Sequence, residues 1–189
     1  VRYLLNDLSQ EHKGIEVDFE AKVTRDWTVR GYTSVGDWRY KGDFTYQVQD
    51  TDTQEIVAGT ENGKGNLDGV KVGNAAQFTF GLGTKVKATK SLSFDADFNY
   101  FARLYENVNV ADIAKANIAG TTYQNETIRP YAIVDLGMSY NFKLTSSQSI
   151  RFRGNIKNLF NDQYISRKDN YGYFWGNGRT WNAGVTYNF

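Results

Sequence analysis

Apolar and polar residues alternate along seven stretches of the chain. In the closing stretch, WNAGVTYNF, one side holds Trp181, Ala183, Val185, Tyr187 and Phe189, and the other holds Asn182, Gly184, Thr186 and Asn188. Successive side chains of a strand point to opposite faces of its sheet, so this period of two predicts a strand with one apolar and one polar face. The other six stretches are residues 15–23, 27–35, 76–86, 92–104, 132–144 and 150–160. None shows the three-and-four spacing of an amphipathic helix.

The lengths of these stretches and of their connections favour a sheet that spans a membrane. Several run for 11 to 13 residues, whereas soluble strands mostly have about 5–6 and membrane strands need about 9–11. Short connections near 25–26, 89–90 and 146–148 alternate with long ones at roughly 37–75, 105–131 and 161–175. Outer-membrane barrels have short periplasmic turns and long outer loops, whereas a soluble sandwich or lipocalin-like barrel has no reason to sort its loops. The pattern therefore predicts an all-β, transmembrane antiparallel β-barrel.

Composition is compatible with this prediction. The mean hydropathy of −0.57 does not exclude a membrane barrel, because lipid-facing and interior residues average out. A net charge of +1 gives no reason to expect a nucleic-acid partner, and the absence of cysteine excludes disulfides and thiolate metal sites. Aromatic residues make up 15% of the chain and predict two interfacial girdles. The short-turn girdle would hold Trp27, Tyr140, Phe142, Tyr187 and Phe189, and the long-loop girdle Tyr100, Tyr131, Tyr164 and Trp175.

An odd number of strands leaves two alternatives, because closed bacterial single-chain barrels have an even number. Residues 1–12, VRYLLNDLSQEH, would be the tail of a loop or the end of an earlier strand. If VRYLLND is an eighth strand, the chain closes into a small outer-membrane barrel that acts as a structural anchor or adhesin. Otherwise the seven strands belong to a much larger barrel, and their open edges need partners.

Two segments near the end of the chain carry a resemblance to a known family. NIKNLFNDQYIS (155–166), followed by GNGRTWNAGVTYNF (176–189), resembles the C-terminal signature of TonB-dependent outer-membrane receptors. In that family, N-L-F-[ND]-x-x-Y on the penultimate strand precedes G-R-x-[WF] and an aromatic terminus. HKGIEVDFEAKVT (12–24) and VGNAAQFTFGLG (72–83) resemble further barrel strands of these receptors, particularly those of Bacteroidetes-like organisms. The resemblance covers nearly the whole chain and favours the larger barrel.

The resemblance implies a multi-pass receptor of the bacterial outer membrane whose barrel has about 22 strands around an N-terminal plug. Residues 1–189 would form the C-terminal segment of that barrel, with the plug and the TonB box absent from this chain. Such a receptor binds a scarce nutrient, for example a ferric siderophore, at its outer loops and plug apex and imports it with energy from TonB. The implied partners are membrane lipid and lipopolysaccharide, the rest of the barrel and plug, TonB, the barrel-insertion machinery and a small-molecule ligand.

The loop RKDNYGYFWGNGR (167–179) is the predicted ligand-binding segment. Its candidate contacts are Arg167, Lys168, Tyr171, Tyr173 and Trp175, with Phe174 among them. Aromatic faces beside cations suit aromatic or anionic ligands. The alternative is an outer aromatic girdle with cations that face lipopolysaccharide.

The final strand is predicted to carry the signal for barrel insertion. Its residues are Trp181, Val185, Tyr187 and Phe189. A simple aromatic anchor at the membrane interface is the alternative, and both roles are compatible.

No catalytic or metal chemistry is predicted. The single histidine, His12, cannot form a triad from this chain alone, so the sequence does not indicate an enzyme. Asp50, Asp52 and Glu61 have calcium-loop spacing, but Glu55 stands where that loop needs glycine, and we expect a solvated acidic loop with no metal or cofactor. The polar faces carry charges that we expect to pair across strands or with the plug, because unpaired burial is costly. They are Glu16, Asp18, Glu20, Asp95, Asp97, Arg103, Arg151 and Arg153.

Overall fold

The computed structural model describes residues 1–189, except for the side chains at 117 and 118. The strands, in chain order, are β1 (Arg2–Asn6), β2 (Ser9–Lys22), β3 (Trp27–Lys41), β4 (Asp43–Gln49), β5 (Gly63–Asn66), β6 (Phe78–Lys87), β7 (Leu92–Ala102), β8 (Leu104–Tyr105), β9 (Thr127–Ile128), β10 (Tyr131–Lys143), β11 (Ser149–Lys157), β12 (Ile165–Asp169), β13 (Gly172–Trp175) and β14 (Thr180–Asn188). One helix, α1 (Val110–Ile118), lies between β8 and β9.

Seven long strands form the main sheet, in the order β14-β11-β10-β7-β6-β3-β2. Each pairs antiparallel with the next long strand along the chain, as an up-and-down meander does. These are the seven strands that the alternation predicts. Short turns connect them at one end of the sheet, the short-turn end, and the long connections all lie at the other, the long-loop end. The predicted antiparallel architecture and the sorting of its connections are therefore confirmed.

The register places the apolar residues of neighbouring strands opposite one another. Leu82 pairs with Phe98, which pairs with Val134 on the other side. Many of these side chains lie in the open: Val17 is 56% exposed and Met138 48%. Soluble monomers rarely expose a continuous apolar face of this width, and the face fits contact with lipid.

Two strands begin or end differently from the prediction. Arg103 adopts a φ of 55° and separates β7 from β8, so it does not lie on the polar face as expected. Gln77 precedes β6 and is only 1% exposed. Its side-chain amide donates to the carbonyl of Trp38 at 2.9 Å and accepts from the Trp38 amide at 3.2 Å. Gln77 thus connects β3 to the segment that leads into β6 at the long-loop end of the main sheet.

The long-loop end contains a small folded layer of its own. β1 pairs with β4 and β4 with β5, so VRYLLND forms part of this second sheet and is not an eighth strand of the main one. Phe44, Leu67 and Ile113 are at most 2% exposed and centre the core beneath the sheet and α1. The segments predicted as loops are therefore packed, and their shape is fixed by a hydrophobic core.

The helix α1 was not expected from the sequence. Asn109 precedes it and its Oδ1 accepts a hydrogen bond from the Ala111 amide at 3.0 Å, which is a typical N-cap arrangement. Lys115 pairs with Asp112 at 2.9 Å along the exposed side. In the part of the chain that the structure describes, no helix has the length and apolar character that crossing a membrane requires.

Ion pairs cross the polar face of the main sheet by passing over glycine. Arg30 on β3 binds Asp97 on β7 at 2.7 Å, and Gly83 on β6 lies between them. Arg153 on β11 binds Asp95 on β7 with two bonds of 2.6 and 2.8 Å. Gly137 on β10 leaves the space for the Arg153–Asp95 pair, since a Cβ at that position would meet the Asp95 carboxyl carbon at 2.8 Å. The expectation that these charges pair across strands is confirmed for Asp95, Asp97 and Arg153.

The predicted aromatic girdles are correct at the short-turn end and partly wrong at the other. Trp27, Tyr140, Phe142 and Tyr187 are exposed on the apolar face. Tyr131 instead pairs with Phe101 on the polar face, where the two rings stack at 4.9 Å, and Tyr164 stacks on Tyr131 at 4.0 Å. One residue of register decides the face, so Tyr131 and Tyr164 do not belong to a lipid-facing girdle.

Candidate ligand-binding site

The family-like signature forms a tight connection after β11. Asn158 and Asn161 adopt left-handed φ values of 50° and 54°, which asparagine tolerates better than most residues. Asn158 is 4% exposed. Its side-chain amide donates to the carbonyls of Asp162 at 2.9 Å and Asn177 at 3.0 Å, and its Oδ1 accepts from the Asp162 amide at 2.9 Å. One buried side chain therefore holds both ends of the connection between β11 and β14.

Neighbouring residues complete this clamp. Asn161 Oδ1 accepts from the Arg179 amide at 2.8 Å, and the Arg179 guanidinium donates to the Leu159 carbonyl at 3.4 Å. The carboxylate of Asp135 accepts a hydrogen bond from the backbone amide of Asn158 at 2.9 Å and another from Lys157 Nζ at 2.8 Å. The signature residues thus have structural partners, and they fix where the hairpin β12–β13 leaves the sheet.

The hairpin β12–β13 carries the predicted ligand-contact residues. Tyr171, at its tip, is 87% exposed and Trp175 is 65% exposed. Arg167 lies over the ring of Phe174 at 4.1 Å and pairs with Asp169 at 3.6 Å. The structure therefore brings the aromatic candidates together on one element, and the guanidinium of Arg167 already has partners there.

Lys168 ties the hairpin to the long segment between β7 and β10. Its ammonium pairs with Glu126 and with Glu106, the latter at 3.3 Å, and its side chain is 16% exposed. Tyr173 donates its hydroxyl to Glu126 at 3.1 Å, and the Lys168 carbonyl accepts from the Asn107 amide at 2.9 Å. We call this group, Glu106, Glu126, Lys168 and Tyr173, the hairpin latch.

Electrostatics reinforce the latch. The hydrogen bond from Lys168 lowers the pKa of Glu126 below its ordinary value. The reciprocal bond from Glu126, with a further contribution from Glu106, raises the pKa of Lys168. Both groups are thus charged at neutral pH. Sequence reasoning assigned Lys168 to the ligand, whereas in the structure its charge is directed at two carboxylates of the protein.

Two clefts flank the hairpin. One of about 160 Å³ lies among Arg129, Tyr131, Asp162, Tyr164 and Trp175. A wider one of about 640 Å³ lies between the hairpin tip at Tyr171, the start of α1 and the first residues of β1. Both clefts offer aromatic and polar groups side by side, and the wider one has the volume of a typical small-molecule site, about 300–1,000 Å³.

Sequence reasoning missed several residues of this region. Arg2, Tyr3 and Asn109 line the wider cleft, and Glu106 and Glu126 hold Lys168. Only Asn109 had a recognisable signal, as a capping residue before Val110, Ile113 and the acidic Asp112. The others are brought together by long-range packing that has no local pattern.

The remaining candidate chemistry has structural roles. His12 stacks on Trp38 at 5.3 Å and contacts Gln10 at 3.1 Å. Asp50 Oδ1 accepts the amides of Asp52 at 2.8 Å and Thr53 at 3.0 Å, which orders its own turn. Over the residues whose side chains are described, no group of three or more histidine or acidic side chains is arranged to hold a metal ion.

The predicted insertion signal lies on an edge strand. Trp181, Val185 and Phe189 of the C-terminal segment are 79%, 67% and 93% exposed, and the Phe189 ring stacks on Tyr187 at 5.8 Å. β14 pairs only with β11, so its other edge presents free backbone groups to a partner strand.

Removal of Phe189 is expected to reduce the amount of full-length receptor that reaches the folded, membrane-inserted state at least several-fold. The exposed Phe189 ring, beside the open edge of β14, is what an insertion factor would contact. The measurement is the folded fraction by heat-modifiable gel mobility in outer-membrane fractions. Phe160→Ala, which removes a ring that is 75% exposed but lies outside β14, is the matched control. Equal insertion of the deletion and the control would contradict the signal and leave only an interfacial anchor.

The fold and its faces define a class of protein: a membrane-spanning, antiparallel β-barrel with a folded layer at its long-loop end. The sequence matches the family described as "TonB dependent receptor-like, beta-barrel" over residues 5–159. The chain therefore belongs to this family of outer-membrane receptors, as the C-terminal motifs indicated. Membership of a receptor family also fits a chain without an enzymatic role.

Solved structures show the same fold at low sequence identity. FpvA of Pseudomonas aeruginosa, bound to heterologous pyoverdines, superposes with a TM-score of 0.58 at 17% identity, over 95% of this chain and 20% of that one. The siderophore receptor PiuA of Acinetobacter baumannii gives 0.57 at 16%, over 95% and 22%. The outer-membrane transporter YddB of Escherichia coli gives 0.60 at 14%, over 96% and 26%.

The chain thus spans about a fifth to a quarter of the length of these proteins. Its seven strands are part of a larger barrel. No curated protein matches the chain by sequence. The expected Bacteroidetes origin stays a prediction.

Proposed function

We propose that this chain forms the C-terminal segment of the barrel of an outer-membrane receptor that binds a scarce nutrient, a ferric siderophore or a similar compound, and imports it. The observation that carries the proposal is the sheet itself. One face is apolar and exposed, the other is crossed by ion pairs, and the folded layer with its clefts lies entirely at one end. Two of the structurally similar proteins are siderophore receptors by name or bound ligand.

In this proposal the long-loop end faces the medium and the hairpin β12–β13 contacts the ligand. Tyr171 and Trp175 project from it with most of their surface free, and Tyr173 stays oriented through Glu126. The clefts on either side offer rings, hydroxyls and the cations Arg2 and Arg129. This composition suits ligands that combine planar groups with negative charge.

The remaining parts of the receptor are proposed with it. A barrel of about 22 strands would enclose an N-terminal plug, with a TonB box ahead of it through which TonB supplies energy. β2 and β14 are the open edges of the sheet, and the preceding strands of the barrel would pair with both. Each of the seven strands would cross the outer membrane once, with lipid and lipopolysaccharide around the apolar face.

The test is uptake by cells that carry or lack the complete gene. A panel of ⁵⁵Fe-loaded catecholate, hydroxamate and mixed siderophores is offered to iron-starved cells. We expect at least one compound to accumulate only when the gene is present, and its accumulation to stop when a protonophore collapses the proton gradient. Identical uptake by both strains across the panel would refute the iron ligand, and uptake that survives the protonophore would refute energy coupling.

A further inference from the structure

Five cations without partners lie at the short-turn end of the polar face. They are Lys22 on β2, Lys85 and Lys87 on β6, Lys143 on β10 and Arg151 on β11. All five are exposed, and none of their side chains has a hydrogen bond, ion pair or cation–π contact among the residues whose side chains the structure describes. We call them the basic belt.

The belt differs from the rest of the polar face, where cations are paired. Arg30, Arg153 and Lys157 each bind an aspartate at 2.6 to 2.8 Å. The carboxylate directly across from a belt residue is Asp95, opposite Lys85, and both of its oxygens are bound by Arg153. No free acid therefore lies opposite Lys85, Lys87, Lys143 or Arg151 among the described residues. Lys22, at the edge of the belt, has Glu20 two residues away on the same face of β2.

Unpaired cations on an interior surface have an energetic consequence. Like charges that share a face destabilise one another, and covering them without opposite charge is costly. The polar face bounds the interior of a closed barrel. An element that covers this end of the interior must either leave the belt in water or bring carboxylates to it.

The width of the belt decides between a small anion and a polypeptide. From β2 to β11 the sheet advances through five strand-to-strand steps, which is about 24 Å at about 4.8 Å per step. A single small anion contacts one or two cations of such a row. A chain segment that carries several Asp or Glu residues matches its length.

We propose that the basic belt is a docking surface for an acidic segment of the plug, near the end of the barrel from which the ligand leaves. The inference depends on the proposed function, because it requires a plug inside the barrel. The segment crosses the short-turn end of the polar face, and its carboxylates pair with Lys85, Lys87 and Lys143. These pairs hold the plug against this part of the wall.

The test uses the complete receptor in detergent and a zero-length carbodiimide cross-linker, which joins a lysine directly to a contacting carboxylate. Mass spectrometry then identifies the joined peptides. We expect Lys85, Lys87 or Lys143 to be joined to Asp or Glu residues of the plug. The pair Lys115–Asp112, at 2.9 Å on α1, is the internal reference for reactivity. If the reference forms while the three lysines stay unjoined, or if they are joined only to barrel residues, the inference is wrong.

A variant pair adds a second measurement. In the wild-type receptor, raising NaCl from low to high concentration should lower the temperature at which the plug becomes sensitive to protease, because salt screens these contacts. Lys85→Gln with Lys87→Gln should remove at least half of that salt dependence. Lys90→Gln, in the adjacent turn, should keep it. If inorganic phosphate protects the plug from protease while no lysine–carboxylate cross-links form, the belt is a simple anion site and the inference is wrong.

The two proposals fail in distinguishable ways. An extracted receptor whose intact mass and protease-resistant fragments reveal no domain inside the barrel would refute the proposed receptor architecture. A receptor with a protected plug but an unjoined belt would refute only the docking surface.

Discussion

Replacing Asn158 with alanine is expected to destabilise the folded barrel by about 3–5 kcal/mol, because the change leaves the Asp162 and Asn177 backbone groups unpaired at about 1–3 kcal/mol each when buried. Alanine must also adopt the left-handed φ of 50° at that position, at a cost of roughly 1–2 kcal/mol. The side chain is 4% exposed, so the wild-type hydrogen bonds are made out of contact with bulk water. The measurement is the urea-unfolding transition of the complete receptor, with the folded fraction read from heat-modifiable gel mobility.

Two further variants separate the causes. Asn158→Gly permits the left-handed backbone but cannot make the three hydrogen bonds, so it should recover about 1–2 kcal/mol relative to alanine. Asn170→Ala, which replaces an exposed asparagine in the hairpin turn, should change the free energy of unfolding by no more than about 0.5 kcal/mol. A midpoint for Asn158→Ala that matches that of Asn170→Ala would show that the clamp is dispensable.

The strands of the main sheet could be predicted because their physical requirement is local. A strand with lipid on one side and water on the other must alternate residue by residue, and Phe94, Ala96 and Phe98 show this directly. The prediction was wrong where one residue of register changes the face, as at Tyr131, or where a residue leaves the β region, as at Arg103. Alternation carries no information about either event.

The long-loop end could not be predicted, because its core is assembled from distant segments. Tyr40, Leu67 and Ile113 meet in one cluster although no local pattern connects them. The helix α1 is also short, at nine residues, which is below the length at which an isolated helix is stable. Packing, not propensity, maintains this layer.

The same reasoning explains the incomplete prediction of the site. The aromatic residues and cations that lie close together in sequence fall on one hairpin, and their contact with a ligand stays a prediction. The partners of Lys168 are 42 and 62 residues away, so the sequence alone could not show that this charge is already satisfied. Exposure then separates the candidates: Tyr171 and Trp175 are available to a ligand, whereas Lys168 is held by the protein.

Replacing Lys168 with methionine is expected to release the hairpin from the segment between β7 and β10. The variant keeps most of the aliphatic length but removes the charge that Glu106 and Glu126 share, and it leaves two carboxylates facing each other. We expect amide hydrogen exchange in 165–175 to become about tenfold faster, equivalent to ~1.4 kcal/mol of local stability. Lys168→Arg should restore most of the protection, and Lys115→Met, which removes an exposed pair on α1, should not alter exchange in the hairpin.

The pH dependence of the same exchange identifies the latch as electrostatic. The pKa of Glu126 is lowered, so its contribution is complete above the ordinary value of 4.5 and is lost as pH falls through the lowered pKa. The pKa of Lys168 is raised, so its contribution is complete below 10.5 and is lost as pH rises through the raised pKa. Protection of 165–175 should therefore be flat at neutral pH and decline at both extremes. In Lys168→Met the acid decline should be absent, because Glu126 no longer has an ammonium partner, and a variant that retained it would show that another group holds the hairpin.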